Sequence, residues 1–213
     1  EVGRLAGVEA TDWSWGALFF DMNNDGLRDL YIANGIFRDL TDQDYLQYVS
    51  SEQVLMSIMS GEEVDYAKLV EIIPSRPVKN HAYINQGNLT FTNDDSTGLL
   101  MPSFSNGSAY GDLDNDGDLD LVVSNVNMPS FVYENHTDKK DSGNYIQFDL
   151  RGAGQNTMAI GTQIMVNDGN RNYYIQHQPI RGFQSSMDLR PHLGLPSNSN
   201  VDIEITWPDG TKS

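Results

Sequence analysis

Two stretches, 91 positions apart, restrict what this chain can fold into more than any other feature. Residues 112–125 read DLDNDGDLDLVVSN, and residues 21–34 read DMNNDGLRDLYIAN. In the former, five aspartates take alternate positions across nine residues, and an apolar run starts before the charges end. Two like charges 4 Å apart repel by about 1 to 4 kcal/mol, depending on how much water screens them. Such a turn needs a counter-charge. Both copies share the pattern Asp-x-Asp/Asn-x-Asp-Gly-x-x-Asp. Aligning Asp21 with Asp112 also aligns Gly16 with Gly107, Phe19 with Tyr110, Gly26 with Gly117, Asp29 with Asp120, Leu30 with Leu121 and Asn34 with Asn125.

Each unit reads as a short strand (WGALFFD, GSAYGDL), an acidic turn and a second strand (LRDLYIAN, LDLVVSN). A further shared element follows: Tyr83-Ile-Asn85 in the first unit and Tyr133-Glu-Asn135 in the second. In the first unit it continues as NQGNLTF, a hairpin signal with Gly87 in the turn and Phe91 opening the next strand.

The counter-charge that fits is calcium, which takes six to eight oxygen ligands at about 2.3–2.6 Å. The spacing predicts two Ca2+ sites. In the first turn the ligands are Asp21, Asn23, Asp25 and Asp29, with the main-chain carbonyl of Leu27. In the second they are Asp112, Asp114, Asp116 and Asp120, with the carbonyl of Asp118. Gly26 and Gly117 stand where the chain must turn sharply, where positive φ costs glycine little. A helix–loop–helix calcium hand is excluded, because the twelfth positions hold Ile32 and Val123 instead of a bidentate Glu. Asp29 and Asp120 close the loops instead. The ions are expected to lock the turns rather than to take part in chemistry.

Between Asn34 and Tyr83 the first unit carries about 41 extra residues, and their pattern is helical. Thr41 followed by Asp44 offers an N-cap, and Tyr45, Tyr48, Val49, Leu55, Ile58 and Met59 fall on one face up to Gly61. A shorter helix over about 63–73 has Ala67, Val70 and Ile73 on one side and stops before Pro74. These apolar residues are expected to pack on the neighbouring sheet, with a lid over the repeat face as the alternative. From about Asn144 the repeat gives way to alternating segments, NYIQFDLRG, AIGTQIMVND, RNYYIQHQPI and VDIEITWP, which predict a small β-sandwich-like domain. Residues 136–143 form a polar linker.

Thirty acids against 13 bases give a formal charge of −17, which argues against nucleic acid and against an anionic membrane surface. No apolar run is long enough to insert in a membrane. There is no cysteine. The sequence opens without an initiator Met and reads as a piece of a longer protein. No nucleophile motif, phosphate loop or zinc spacing is present, and His81, His136, His177 and His192 are expected to be packing or surface residues. Trp15 and Trp207 are expected in cores or blades, leaving Trp13 as a candidate ligand contact.

Over about residues 12–135 the chain resembles the FG-GAP/VCBS repeats of integrin-like β-propellers. Its C-terminal part resembles the ASPIC/UnbV domain, through AIGTQIMV with Gly161, RGFQSS with Gly182 and Phe183, HLGL from His192 to Leu195, and WPDG from Trp207 to Gly210. That order of modules resembles the cartilage-acidic-protein-like family. The resemblance implies an all-β chain. Propeller-blade repeats would span 1–135, with a helical insertion at about 37–79, and an ASPIC/UnbV-like domain over 144–213 would stop soon after WPDG. It also implies that the remainder of a parent propeller is a partner. The function so implied is a non-catalytic, calcium-binding module of an extracellular, cell-surface or periplasmic protein, used for protein or glycan binding or adhesion. The alternatives are part of a calcium-dependent polysaccharide-degrading enzyme, or a purely structural propeller segment. An enzyme would need a Tyr, Lys or His base beside the metal, and neither turn contains one.

Overall fold

A computed structural model describes residues 2–60, 66–137, 144–195 and 200–213. After a short helix α1 (Val2–Ala6), the first unit folds as an antiparallel meander of β1 (Ser14–Phe20), β2 (Asp29–Asn34), β3 (His81–Asn85) and β4 (Phe91–Asn93). The second is a meander of β5 (Ser105–Gly111), β6 (Asp120–Asn125) and β7 (Phe131–Tyr133). The first two strands of each unit keep the 91-residue offset. Both pairs also carry an irregularity at the same place, at Ser14/Gly16 and at Ser105/Ser108.

Alternation in β1 sends Gly16, Leu18 and Phe20 inward, while β2, flanked by β1 and β3, is buried throughout. Leu18, Phe20, Tyr31 and Ala82 of the first unit share one core with Leu119, Leu121 and Val123 of the second. Each large side chain buried there contributes roughly 1.5–3 kcal/mol. The sheets are therefore mutually dependent, with β1 and β2 both packed on β5. The fold is all-β as the sequence predicts, with blade-like meanders; among the described residues they pack side by side and close no barrel.

The insertion differs from expectation in two respects. Its first helix is two, α2 (Gln43–Val49) and α3 (Glu52–Met59), separated at Ser50 and Ser51, and α2 is capped by Asp42, whose carboxylate accepts from the Tyr45 N–H at 3.0 Å. Thr41 instead bonds Asp39. The third helix, α4, is Tyr66–Glu71; Gly61 and residues 63–65, assigned above to helix ends, lie outside the described residues. The second difference is packing: no residue of these three helices whose exposure is described is buried, and Met59 is 86% exposed, whereas Ile73, just past α4, is buried as expected. The insertion is tied down at its base. There Arg38 donates to the carbonyls of Glu71 and Ile73 (3.2 and 2.9 Å), and the Asp39 N–H donates to Pro74 at 3.0 Å.

The C-terminal part is a sandwich as predicted. One layer pairs β8 (Asn144–Gln147) with β11 (His192–Leu195). In the other, β9 (Gln163–Asn167) lies between β10 (Asn172–Gln176) and β12 (Asp202–Thr206). Ile164, Val166, Tyr173 and Ile175 of one layer meet Leu193 and Leu195 of the other. Of the expected linker, residues 138–143 lie outside the described residues. Between β10 and β11 the chain leaves the sandwich and wedges against the repeats. Met187 enters the repeat core, Phe183 packs on Trp15 with ring centroids 4.8 Å apart, and a Cβ on Gly182 would come within 2.9 Å of Leu18.

Candidate metal centre

The conformation of the acidic turns repeats as closely as their sequence. Gly26 and Gly117 have φ of 81° and 96°, and so the expected left-handed glycine is present in both. Asn24 and Asn115 are also left-handed, at 57° and 63°. Asparagine tolerates that region better than most side chains. The spacing of acids alone did not single these two residues out.

Asp29 and Asp120 begin the strands that follow the turns, and both are buried. Each carboxylate holds two backbone N–H groups from different parts of its unit. Asp29 accepts from Met22 at 2.9 Å and from Asn85 at 2.8 Å. Asp120 accepts from Leu113 and Asn135, both at 2.9 Å. These acids therefore tie the turn to the edge of the third strand, a role that the ligand spacing did not disclose. Asn85 and Asn135 answer with their side-chain amides, donating to the carbonyls of Arg28 and Leu119 respectively.

In the second turn Asp112, Asp114 and Asp116 each bring one carboxylate oxygen within 4.8 Å of the others. Oxygens on opposite sides of a calcium ion stand about 5 Å apart at most. Asp112 is 2% exposed, and its Oδ1 is buried without a hydrogen-bond partner among the described residues. A buried carboxylate oxygen left so is costly unless a cation meets it. Three hard oxygens within reach of one another, in a turn that also leaves Asp112 Oδ1 unpartnered, could hold a metal ion. Asp118 is buried one step on, its N–H bonded to Asp116 Oδ1 at 3.2 Å.

The first turn is knitted into itself. Asp21 accepts the N–H groups of Asp25 and Gly26, and Asp25 accepts that of Leu27 at 2.7 Å. The Asn23 amide donates to Asp25 Oδ2 at 3.1 Å. Asparagine at the third position thus replaces one charge with a donor that partly satisfies its neighbour. Burial pushes the Asp21 carboxyl up to about 6 and that of Asp29 to about 7, despite the N–H groups that pull both down. Without a cation, ionising these groups opposes folding.

The sandwich domain docks onto both turns. The Gly117 carbonyl accepts from the Asn24 side chain (3.1 Å) and from His192 Nε2 (3.0 Å), so one oxygen joins the first turn, the second turn and β11. Tyr145 stacks on His192 and fills the space where a Gly117 side chain would lie. Arg190 donates to the Asp112 carbonyl and to Asn115 Oδ1, both at 2.9 Å, while Asp188 holds its guanidinium at 2.7 Å and raises its pKa. Burial pushes the His192 imidazole down. Of the other histidines, His177 is buried, bonded to the Met158 carbonyl. Trp15 stands in the blade strand β1, as expected, 37% exposed and packed on Phe183, and Trp207 donates to Ser213 Oγ at 2.6 Å. Trp13 is 39% exposed. His192 packs as expected, but nothing in the sequence signalled that it, Arg190 and Tyr145 meet the acidic turns beyond His192 opening the HLGL motif.

Paired meander repeats closed by acidic turns, with a sandwich docked across both turns, define a modular β protein. Residues 69–123 match the FG-GAP-like repeat, and residues 152–213 match the family described as ASPIC and UnbV. The chain thus carries an FG-GAP-like repeat and an ASPIC and UnbV domain. The first match contains the second acidic turn and ends within β6, so the earlier turn is tied to it by the internal repeat. No curated protein matches the chain. FG-GAP-like repeats are typical of extracellular or cell-surface proteins. Among the described residues, no helix is long and apolar enough to cross a membrane.

Proposed function

We propose that the chain is a calcium-stabilised, non-catalytic binding module of an extracellular, cell-surface or periplasmic protein, with a protein or glycan as its ligand. The observation that carries this is the convergence of Asp112, Asp114 and Asp116 in a turn where Asp112 Oδ1 is also buried without a hydrogen-bond partner among the described residues. The hard-oxygen set is calcium chemistry. The first turn, with Asp21, Asn23 and Asp25, is the second site, weaker because one acid is replaced and its amide already engages Asp25. The ions hold the turns in the shape onto which His192, Tyr145 and Arg190 dock. Residues of a parent propeller are partners for the exposed faces of the repeat and of the insertion. The order of the two modules supports the wider cartilage-acidic-protein-like grouping. The test is a glycan array and a surface-protein pulldown run in calcium and again in chelator. Ligands retained in calcium and lost in chelator are expected; a blank result in calcium for the folded protein contradicts the binding reading.

A further inference from the structure

Beside the first acidic turn, a cleft of about 430 Å³ opens between the repeat sheet and the sandwich. In a chain of net charge −17 it is lined by four of the eight arginines, Arg28, Arg171, Arg181 and Arg190. Arg190 is neutralised by Asp188. Arg28 and Arg181 are different. Neither has a carboxylate partner among the described residues; both are fixed by main-chain carbonyls. Arg28 donates to Tyr174 at 2.9 Å, and Arg181 donates to Gln178 and Gln176 at 2.8 and 2.9 Å. A guanidinium has five N–H donors, so each keeps several for a ligand. The carbonyls of Tyr174 and Gln176 lie two residues apart on β10, so both guanidiniums are anchored along one strand at the cleft. Asp21 and Asp188 also line the cleft, but Asp21 accepts N–H groups of its own turn and Asp188 is paired with Arg190.

Two like charges tied to main-chain carbonyls at one cleft, with no ion pair of their own among the described residues, form an anion receptor. The aromatic rings at the cleft favour a sugar over a peptide as the carrier of that anion. Phe19, Tyr110 and Tyr174 line the cleft; Phe19 and Tyr174 are about half exposed overall, Phe19 meeting Phe91 edge-on, and Tyr110 stacks on Phe20. Such faces stack on the C–H side of a pyranose. The volume falls in the range for a small-molecule site. We propose that this cleft binds an acidic saccharide, with its carboxylate held between Arg28 and Arg181 and a sugar ring against Phe19 and Tyr174. This deepens the binding-module reading and rests on it.

The test is calorimetry on the full chain saturated with calcium, using a uronic-acid tetrasaccharide, its carboxyl-reduced neutral counterpart, and a hexaglutamate peptide. The uronate is expected to bind, more weakly as salt rises. The neutral sugar and the Arg181→Gln variant should each bind about tenfold or more weakly, as expected for loss of a charge-assisted pair. Arg151→Gln, at an exposed residue outside the cleft, should bind as the parent does. Because Arg28 also joins the two modules, Arg181→Gln is the decisive variant. No uronate binding, unchanged binding by Arg181→Gln, or hexaglutamate binding as tight as the sugar would each overturn the proposal. The melting shift with calcium, read on the same sample, separates the failures. If it persists without uronate binding, the cleft assignment falls alone; if it is missing, the calcium-module reading falls as well.

Discussion

At the scale of single residues, the aspartates that resemble one another in sequence do different work. Asp112, Asp114 and Asp116 gather oxygens toward one point, whereas Asp29 and Asp120 spend both oxygens on backbone N–H groups. Asp29→Asn keeps the shape but has only one acceptor oxygen, leaving the N–H of Met22 or Asn85 unpaired. That is expected to cost about 1–3 kcal/mol, read as a lower urea midpoint in chelator; an unchanged midpoint would count against the clamp. The same carboxylates set a pH dependence. Asp21 and Asp29 have folded pKa values of about 6 and about 7, above the 3.8 of an unfolded aspartate. The folded state therefore binds these protons more tightly, so the metal-free protein should lose stability as pH rises from about 4 to 7. Urea midpoints in chelator should be higher at pH 5 than at pH 7.5, and saturating calcium should flatten or reverse the slope. The period-two spacing of acids was legible in the sequence. Which partners Asp29 and Asp120 hold was not, because Asn85 lies 56 residues from Asp29, across the insertion.

At the scale of elements, the strands and turns were readable because each carries its own period and its own glycine. Gly87 turns the predicted β3–β4 hairpin with φ of 78°, and Phe91 opens β4. The helices were readable as helices but not as packing units. An apolar face announces that something covers it, and Leu55, Met56 and Met59 remain exposed. Strand β11 was too short for alternation to reveal it, and only its motif marked it. Excising residues 40–72 and joining the ends through a short Gly-Ser linker should therefore change unfolding free energy by no more than about 1 kcal/mol, the scale of a change in loop length. A loss of several kcal/mol would mean that the helices support the sheet after all. Lost ligand binding with unchanged stability would make the insertion part of the recognition surface.

At the scale of the molecule, the two kinds of module were legible in the sequence, and their interlocking was not. The sequence placed them in tandem; the structure sends Met187 into the repeat core and joins both turns to His192 through the Gly117 carbonyl. Long-range contacts of this kind leave no local pattern. Gly117→Ala tests the joint, since its Cβ would run into the Tyr145 ring at a φ of 96°. The left-handed backbone alone costs roughly 1–2 kcal/mol, and the collision adds to it. The variant is expected to melt in two steps rather than one, as the sandwich releases the repeats. A single transition at the parent temperature would contradict that docking.

The central claim is that cations at the acidic turns hold this assembly together. Protein stripped with chelator should be melted at increasing calcium, then magnesium, with Asp112→Asn and Asp25→Asn alongside. At a hundred times the dissociation constant each site adds about 2.7 kcal/mol, or about 5–10 °C for a chain of this size. The account predicts that calcium raises the melting temperature in the parent. It predicts that Asp112→Asn loses most of that rise and Asp25→Asn a smaller part. A melting curve that calcium leaves unmoved in a folded protein would contradict it.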